Sequence, residues 1–310
     1  MDKWFEDGFK LVEDKQKIVI IGATGTLGTE VLKRFNPDKY EIHGVSRGEH
    51  KQQIYKKLHP KVKFHICDIR DRQSLGRIIK GAHLVFLFAA LKHVDICEEN
   101  PIECLYTNTL GVKNVADVCV AYRVKRCVFS STDKAVDPIS TYGYAKAMSE
   151  KILHHYNRMQ NACRFVIFRW GNIIDSQGSV IPFFIESMRQ NKPIHLTDPK
   201  MTRFFIQINV AVDFMMKILS NKNLEFEKDR VYVPPMIRSS SVVEIIELLN
   251  REIRGDKPME IVQTGVRLCE KLSEQLVSIH DEEPINSNTH GRMNQSELKQ
   301  MLSPLMEFKK

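Results

Sequence analysis

Ile18-Val19-Ile20-Ile21 is an unbroken apolar run that stops at Gly22, and Gly25 and Gly28 follow in Gly22-Ala23-Thr24-Gly25-Thr26-Leu27-Gly28 before a helical pattern reaches Phe35. A short apolar run without alternation is what a strand buried on both faces requires. Glycines at its end let the backbone turn tightly and come close to a bound group. Strand, glycine turn and helix in this order, near the start of the chain, is the opening of a dinucleotide-binding unit, in which the helix N-terminus faces a pyrophosphate. Gly22, Thr24, Gly25, Thr26, Leu27 and Gly28 are therefore the candidate pyrophosphate residues.

The pattern continues. Val/Ile/Phe-rich runs near 18 to 21, 40 to 45, 62 to 67, 83 to 88, 126 to 130 and 164 to 169 alternate with helical segments. This predicts an α/β fold with a Rossmann-type doubly wound parallel sheet over residues 1–169, of which 1–16 are an N-terminal extension. Residues 102 to 122 carry Leu105, Leu110, Val115, Val118 and Val120 at helical spacing behind Pro101, which suits a first helical turn. After Trp170 the prolines at 182, 193, 199, 234, 235 and 258 break the chain into small elements, which predicts a smaller C-terminal α/β substrate-binding lobe over 170–310. Amphipathic helices are expected at about 242 to 253 and 270 to 277, and the polar stretch 281–296 reads as a loosely held tail.

The end of the second strand selects the nucleotide. An NAD enzyme usually places an acidic residue there for the ribose 2′-hydroxyl, whereas this chain has Ser46-Arg47 with Lys51 nearby. These suit a 2′-phosphate and point to NADP, with ordinary solvated charge the competing reading for Lys51 above all. Asp68-Ile69, after the third strand, is placed to meet the adenine; an Asp there is otherwise often a helix cap.

Residues 130 to 146 crowd proton-transferring groups together: Ser130, Thr132, Asp133 and Lys134, then Tyr142 and Lys146 four apart. On a helix, i and i+4 share a face, so the lysine cation can lower the phenol from about 10 and make Tyr142 a base. Taken alone, the same spacing describes an ordinary surface pair.

Composition excludes other classes. A chain of 310 residues with 43% hydrophobic content can bury one large core or two fused ones. Its most apolar stretch, 84 to 91, falls far short of the roughly 20 residues that cross a bilayer. The acidic residues in Met1-Asp2-Lys3-Trp4-Phe5-Glu6-Asp7 do not suit a signal peptide, so a soluble, cytoplasmic protein is expected. Seven cysteines without a Cys-x-x-Cys pair or zinc spacing read as reduced, mostly buried thiols, with no metal site. The net charge of +8 is scattered among acids, which argues against nucleic acid and for small anionic ligands.

With these segments placed, the chain resembles the extended short-chain dehydrogenase/reductase superfamily, and within it the inverting UDP-N-acetylglucosamine 4,6-dehydratases (5-epimerising) of polysaccharide biosynthesis. The resemblance rests on Ala89-Ala90-Leu91-Lys92-His93-Val94, Asn100-Pro101-Ile102-Glu103-Cys104 with Thr107-Asn108, Ser131-Thr132-Asp133-Lys134-Ala135, and Tyr142-Gly143 with Lys146. It continues through Arg169-Trp170-Gly171-Asn172, Gly178-Ser179-Val180-Ile181-Pro182, Met201-Thr202-Arg203-Phe204, and Gly265-Val266-Arg267 with Glu270-Lys271. The Thr-Asp-Lys triplet separates it from simple sugar 4-epimerases, and Tyr142 from retaining dehydratases, which typically carry methionine there. Trp170, Leu268-Cys269 and Ser273 depart from the family pattern and bear on the shape of the uridine-diphosphate pocket.

The resemblance implies a UDP-N-acetylglucosamine substrate, a homo-oligomer, and a recycled NADP held additionally by Ala89, Ala90, Lys92, Asn108, Tyr142 and Lys146. It implies that Tyr142 takes the O4 proton with Thr132 orienting that hydroxyl, that Lys134 removes the C5 proton, and that Asp133 protonates the departing O6. Ser130, Lys92, Asn172, Val180, Arg203, Arg267 and Glu270 are the expected substrate contacts, the two arginines for the pyrophosphate. Bland readings stand beside several of these. Lys92 is otherwise a solvated lysine, Asn172 a loop cap, Glu270 a helix cap, and Asp133-Lys134 a surface ion pair. Two rival functions remain open at this point: an NADP-dependent nucleotide-sugar 4-epimerase or 4-reductase, and a non-catalytic nucleotide-binding sensor or scaffold.

Overall fold

The apolar runs of the first half become the strands of one sheet. The computed structural model describes residues 15–174, 176, 178–221, 229–277 and 283–307. Its strands here are β1 (Gln16–Ile21), β2 (Tyr40–Ser46), β3 (Lys63–Ile66), β4 (Ala82–Leu87), β5 (Arg126–Thr132) and β6 (Arg164–Trp170). They lie in the order β6-β5-β4-β1-β2-β3, with the short strand Val231–Tyr232 beyond β6. β1 pairs in parallel with both β2 and β4. The chain winds outward from β1 to β3, then returns to start again at β4. The crevice outside the carboxyl ends of β1 and β4 is thus a topological switch point, where open α/β sheets take their ligands.

The chain forms two compact units. One runs to Ser131 and adds Thr141–Arg169 and Val212–Tyr232; the other takes Thr132–Ser140, Trp170–Ala211 and the chain from Val233. A cut after Arg169 therefore has two exchanges across it. Val212–Tyr232 goes with the sheet, and the short Thr132–Ser140 segment goes with the smaller unit. The first core lies on the sheet, built from Val19, Ile21, Val85, Val115, Phe129 and Ile167. The second lies among helices Val180–Arg189, Val242–Arg254 and Gln295–Glu307, around Phe184, Ile185, Ile246, Leu249 and Leu302.

Helix Val242–Arg254 forms where its spacing predicted, opened by a Ser241/Glu244 capping box and closed by Gly255 at φ 62°. The expected helix at 270 to 277 does not form: Gln275–Val277 is a strand, antiparallel to Ile285–Asn286. Leu272 and Leu276 have helical spacing, yet Leu276 is fully buried and Leu272 is exposed. Ladder partners at Ile285 and Asn286 outweigh local propensity. The same pairing corrects the loose tail. Over residues 283–296, Ser287 is fully buried, Met293 joins the second core and Gln295 opens a helix. Asp281 and Glu282, like residues 1–14 of the N-terminal extension, lie outside the described residues. All seven cysteines are free, six of them buried. Among the described residues no helix is long and apolar enough to cross a membrane, and no cluster of ligating side chains could hold a metal ion.

Candidate active site

The turn after β1 is shaped by what its glycines lack. Gly22 sits at φ +94°, and a Cβ there would come 2.8 Å from the Ala89 nitrogen, in the loop after β4. Gly28 packs closer still, since a Cβ would lie 2.2 Å from the Gly22 carbonyl oxygen. At Gly25 a Cβ would approach only that same carbonyl, at 3.3 Å. Two glycines close the turn against its neighbours, and at the third a Cβ would meet no other described atom within 4 Å. Thr24 and Leu27 are buried beside them, and Thr26 opens helix α1 (Thr26–Leu32).

At the end of β2, Ser46 is held by Gln52 of helix α2 (Glu49–Leu58), whose amide donates to the Ser46 carbonyl at 2.8 Å, its hydroxyl oxygen at 2.9 Å and the His65 carbonyl at 2.7 Å. Arg47 lies 3.7 Å from Asp68. Burial, reinforced by the nearby Lys51 charge, pushes the Lys92 ammonium below its usual range. Lys51 and Lys92 thus lie close enough for their charges to interact, and Ser46 and Arg47 follow one another at the end of β2. Asp68 and Ile69, expected at the adenine, lie just after β3. Ile69 is 3% exposed and belongs to the core. Asp68 is gripped by Arg70 through Nε at 3.0 Å and Nη2 at 2.8 Å. Burial would raise its carboxyl, but Arg70 outweighs that and lowers it. The helix cap here is Asp71, which accepts from the Ser74 amide at the start of helix α3 (Arg72–Ile79).

The loop after β4 is clamped from behind. In the helical run from Pro101 to Ala121, Leu105–Leu110 widens into a π-helical turn that buries Thr107, Asn108 and Thr109. Asn108 accepts from the Leu91 amide and donates to the Leu91 carbonyl, both at 2.8 Å. Asn108 is fully buried, and its amide fixes the Ala89-Ala90-Leu91-Lys92 loop, the segment expected beside the cofactor. Helix Thr141–Met159 packs here through Ser149, whose hydroxyl donates to the Asn108 carbonyl at 2.5 Å.

Tyr142 and Lys146 stand one turn apart on this helix. Tyr142 packs on Cys97, Cys104 and Ala145. Lys146 is 3% exposed, so the pair is not a solvated one. Its Nζ donates to the Ser130 carbonyl at 2.5 Å and lies 4.0 Å from the centre of the Phe129 ring. Burial pushes Lys146 down to about 7, against the opposing charges of Glu150 and Cys104. The cation expected to lower the phenol is therefore itself poised to lose a proton near neutrality.

In the smaller unit, Asp133–Ala135 forms a single 3₁₀ turn capped by Thr132. Adjacent side chains on a loop rarely face each other, but this turn brings Lys134 Nζ to 3.0 Å from Asp133 Oδ1, which also accepts from the Thr132 hydroxyl at 2.9 Å. Asp133 is fully buried, so the surface-pair reading fails. Glu274, 3% exposed and absent from the sequence expectations, lies 3.4 Å from the same ammonium, and Lys271 lies 3.8 Å from Glu274. Burial alone would loosen the Lys134 proton, but the Asp133 and Glu274 carboxylates outweigh it and hold the lysine above its usual range. As it rests, Lys134 is an ammonium and not yet a base.

The remaining expected substrate contacts are dispersed over the smaller unit. Asn172 opens the short strand Asn172–Ile173, and Val180 opens helix Val180–Arg189 with its side chain exposed. Arg203 donates to the Thr202 and Leu272 carbonyls at 2.8 and 3.2 Å. Arg267 is exposed in a turn that the Glu270 amide closes on the Arg267 carbonyl at 3.0 Å. Residues 271–277 contain no helix for Glu270 to open, which removes its reading as a cap. Glu274 was legible only as a carboxylate in a segment read as helix; the run from Ser273 to Val277 is too short for its alternation to register.

A parallel sheet in this order, with a glycine turn at the switch point and a Tyr-Lys helix beside it, defines an extended short-chain dehydrogenase/reductase fold. The polysaccharide biosynthesis protein family matches residues 18–296, and this chain belongs to it. It is 37% identical over 276 residues to a UDP-glucose 4-epimerase of Rickettsia akari, covering 85% of this chain and 78% of that protein. It is 35% identical over 280 residues to the UDP-N-acetylglucosamine 4,6-dehydratase (inverting) of Campylobacter jejuni, covering 86% and 79%. The X-ray structure of Pen from Bacillus thuringiensis matches with a TM-score of 0.86 at 26% identity, over 94% of this chain and 98% of that one.

Proposed function

We propose that this protein is an NADP-dependent lyase that removes water across C5 and C6 of UDP-N-acetylglucosamine and inverts C5. Membership of a family whose relatives include nucleotide-sugar epimerases and an inverting dehydratase supports the enzyme class. The observation that carries the dehydratase is the buried 3.0 Å contact between Lys134 and Asp133. Elimination needs a base for the C5 proton and an acid for the C6 oxygen, and this contact makes both in one step. Transfer of one proton from Nζ to Oδ1 leaves an amine on Lys134 and a carboxylic acid on Asp133. The amine takes the C5 proton, the acid gives its proton to the leaving hydroxyl, and water departs. The ammonium and carboxylate are then as they began.

The C5 proton is acidic only while C4 is a ketone. NADP, when bound, would supply the hydride acceptor for C4 and the hydride donor for C6, and a proton added at C5 from the opposite face would complete the inversion, so that the cofactor is recycled. Tyr142, on the helix that carries Lys146, takes the O4 proton during the oxidation, and Thr132 orients that hydroxyl. Ser46, Arg47, Lys51 and Lys92 favour the 2′-phosphate of NADP over NAD, and the glycine turn at Gly25 fits the diphosphate. Arg203 and Arg267 are assigned to the substrate pyrophosphate, with Asn172, Val180 and Glu270 as further contacts.

The Rickettsia relative keeps one second reading open, a 4-epimerase that would stop at the ketone and return hydride to C4. Mass spectrometry of UDP-N-acetylglucosamine incubated with purified protein and NADP separates the two. Loss of one water is expected of the dehydratase, and a product of unchanged mass supports the epimerase.

A further inference from the structure

We propose that Glu274 is a positioning residue for Lys134: from the segment that leads into Gln275–Val277, its buried carboxylate anchors Nζ and tightens the lysine's hold on its proton. The inference rests on the reading of Lys134 as the group that exchanges protons with the substrate.

Glu274 is placed by backbone and not by chance packing. Its amide donates to the Ser287 hydroxyl oxygen at 2.9 Å, and the Ser287 amide donates to the Glu274 carbonyl at 2.9 Å. Ser287 in turn shares a 2.8 Å hydrogen bond with Thr202. From that frame Oε1 lies 3.4 Å from Lys134 Nζ, and Oε2 lies 3.8 Å from Lys271 Nζ. Lys271 is tied separately to the Val136 carbonyl at 2.6 Å. The result is a row of alternating charge, Asp133, Lys134, Glu274 and Lys271.

Among the described residues, the charged groups that act on Lys134 come from three elements. Asp133 lies on its own turn, Glu274 and Lys271 on the segment leading into Gln275–Val277, and Arg203 on strand Thr202–Ile206. Asp133 alone would neutralise the ammonium. A second carboxylate within 4 Å adds what neutralisation does not need: it stabilises the protonated form further, so the amine, once formed, binds the next proton more strongly. A base that must take a proton from carbon benefits from that gain in basicity. Lys271 keeps Glu274 from overdoing it by drawing on the other carboxylate oxygen.

Acetic anhydride reacts only with the free amine, so the rate of Lys134 acetylation at pH 8, read by peptide mass spectrometry against an exposed lysine, reports the hold on the proton. In Glu274→Gln the rate should rise about tenfold or more. Lys271→Met, which frees Glu274 to act on Lys134 alone, should slow it. Equal rates in wild type and either folded variant would overturn the proposal. The parent reading fails separately, if Lys134→Ala still exchanges the substrate C5 hydrogen with deuterated water at the wild-type rate.

Discussion

Gln52 donates to the hydroxyl oxygen of Ser46 at 2.9 Å. With that oxygen occupied as an acceptor, the Ser46 proton is left to donate, which is the polarity a phosphate requires. Gln52→Leu should therefore weaken NADP binding by about 1 kcal/mol, roughly fivefold, and leave NAD binding nearly unchanged. Titration of both dinucleotides by calorimetry checks this, and an equal loss for the two would count against a 2′-phosphate site at Ser46.

Lys146 gives the fold a distinctive pH dependence. Its folded value, about 7, lies below the value of a free lysine. The unfolded chain therefore binds the extra proton between these values, and the penalty of burying the charge, on the order of a few kcal/mol, is full below about pH 7 and relieved as pH rises. The melting temperature of the wild type should gain on that of Lys146→Met between pH 6 and pH 9. Parallel curves would show that Lys146 carries no such penalty.

Asn108→Leu removes both hydrogen bonds to Leu91 and leaves a buried amide and carbonyl unpaired. A loss of about 2–4 kcal/mol in stability is expected. Hydrogen exchange should show the Leu91 amide losing protection, with turnover falling because Lys92 adjoins it.

Arg169 meets Glu150 in a two-pronged contact, Nε to Oε1 at 2.9 Å and Nη2 to Oε2 at 2.7 Å, with Glu150 4% exposed. Breaking it from one side strands a buried carboxylate, so Arg169→Met should cost about 3–5 kcal/mol at neutral pH. Urea denaturation would measure this, and the loss should shrink in the double variant with Glu150→Gln.

The first-unit architecture was legible because its signals are local. An apolar run without alternation, a glycine turn and the repeated change of period describe buried parallel strands whatever lies elsewhere in the chain. The Ser46-Arg47 ending and the Tyr142-Lys146 spacing are legible for the same reason. What escaped depends on partners distant in sequence. Gln275–Val277 became a strand because Ile285–Asn286 pairs with it, and Glu274 met Lys134 across 140 positions only through that pairing. The π-helical turn that buries Asn108 behind the Leu91 loop was likewise not legible, because sequence shows helical spacing there and not the widened turn. Protonation states were the least legible, since Lys134 and Lys146 are driven in opposite directions by surroundings that no local pattern encodes.

The central claim is that C5 gives up its hydrogen to Lys134 while C6 loses its oxygen. Proton NMR of the product formed from UDP-N-acetylglucosamine in deuterated water tests both at once. The account predicts a C6 methyl group, a ketone at C4 and deuterium at an inverted C5. A product with an intact C6 hydroxymethyl group, protium at C5 and a changed configuration only at C4 would contradict it.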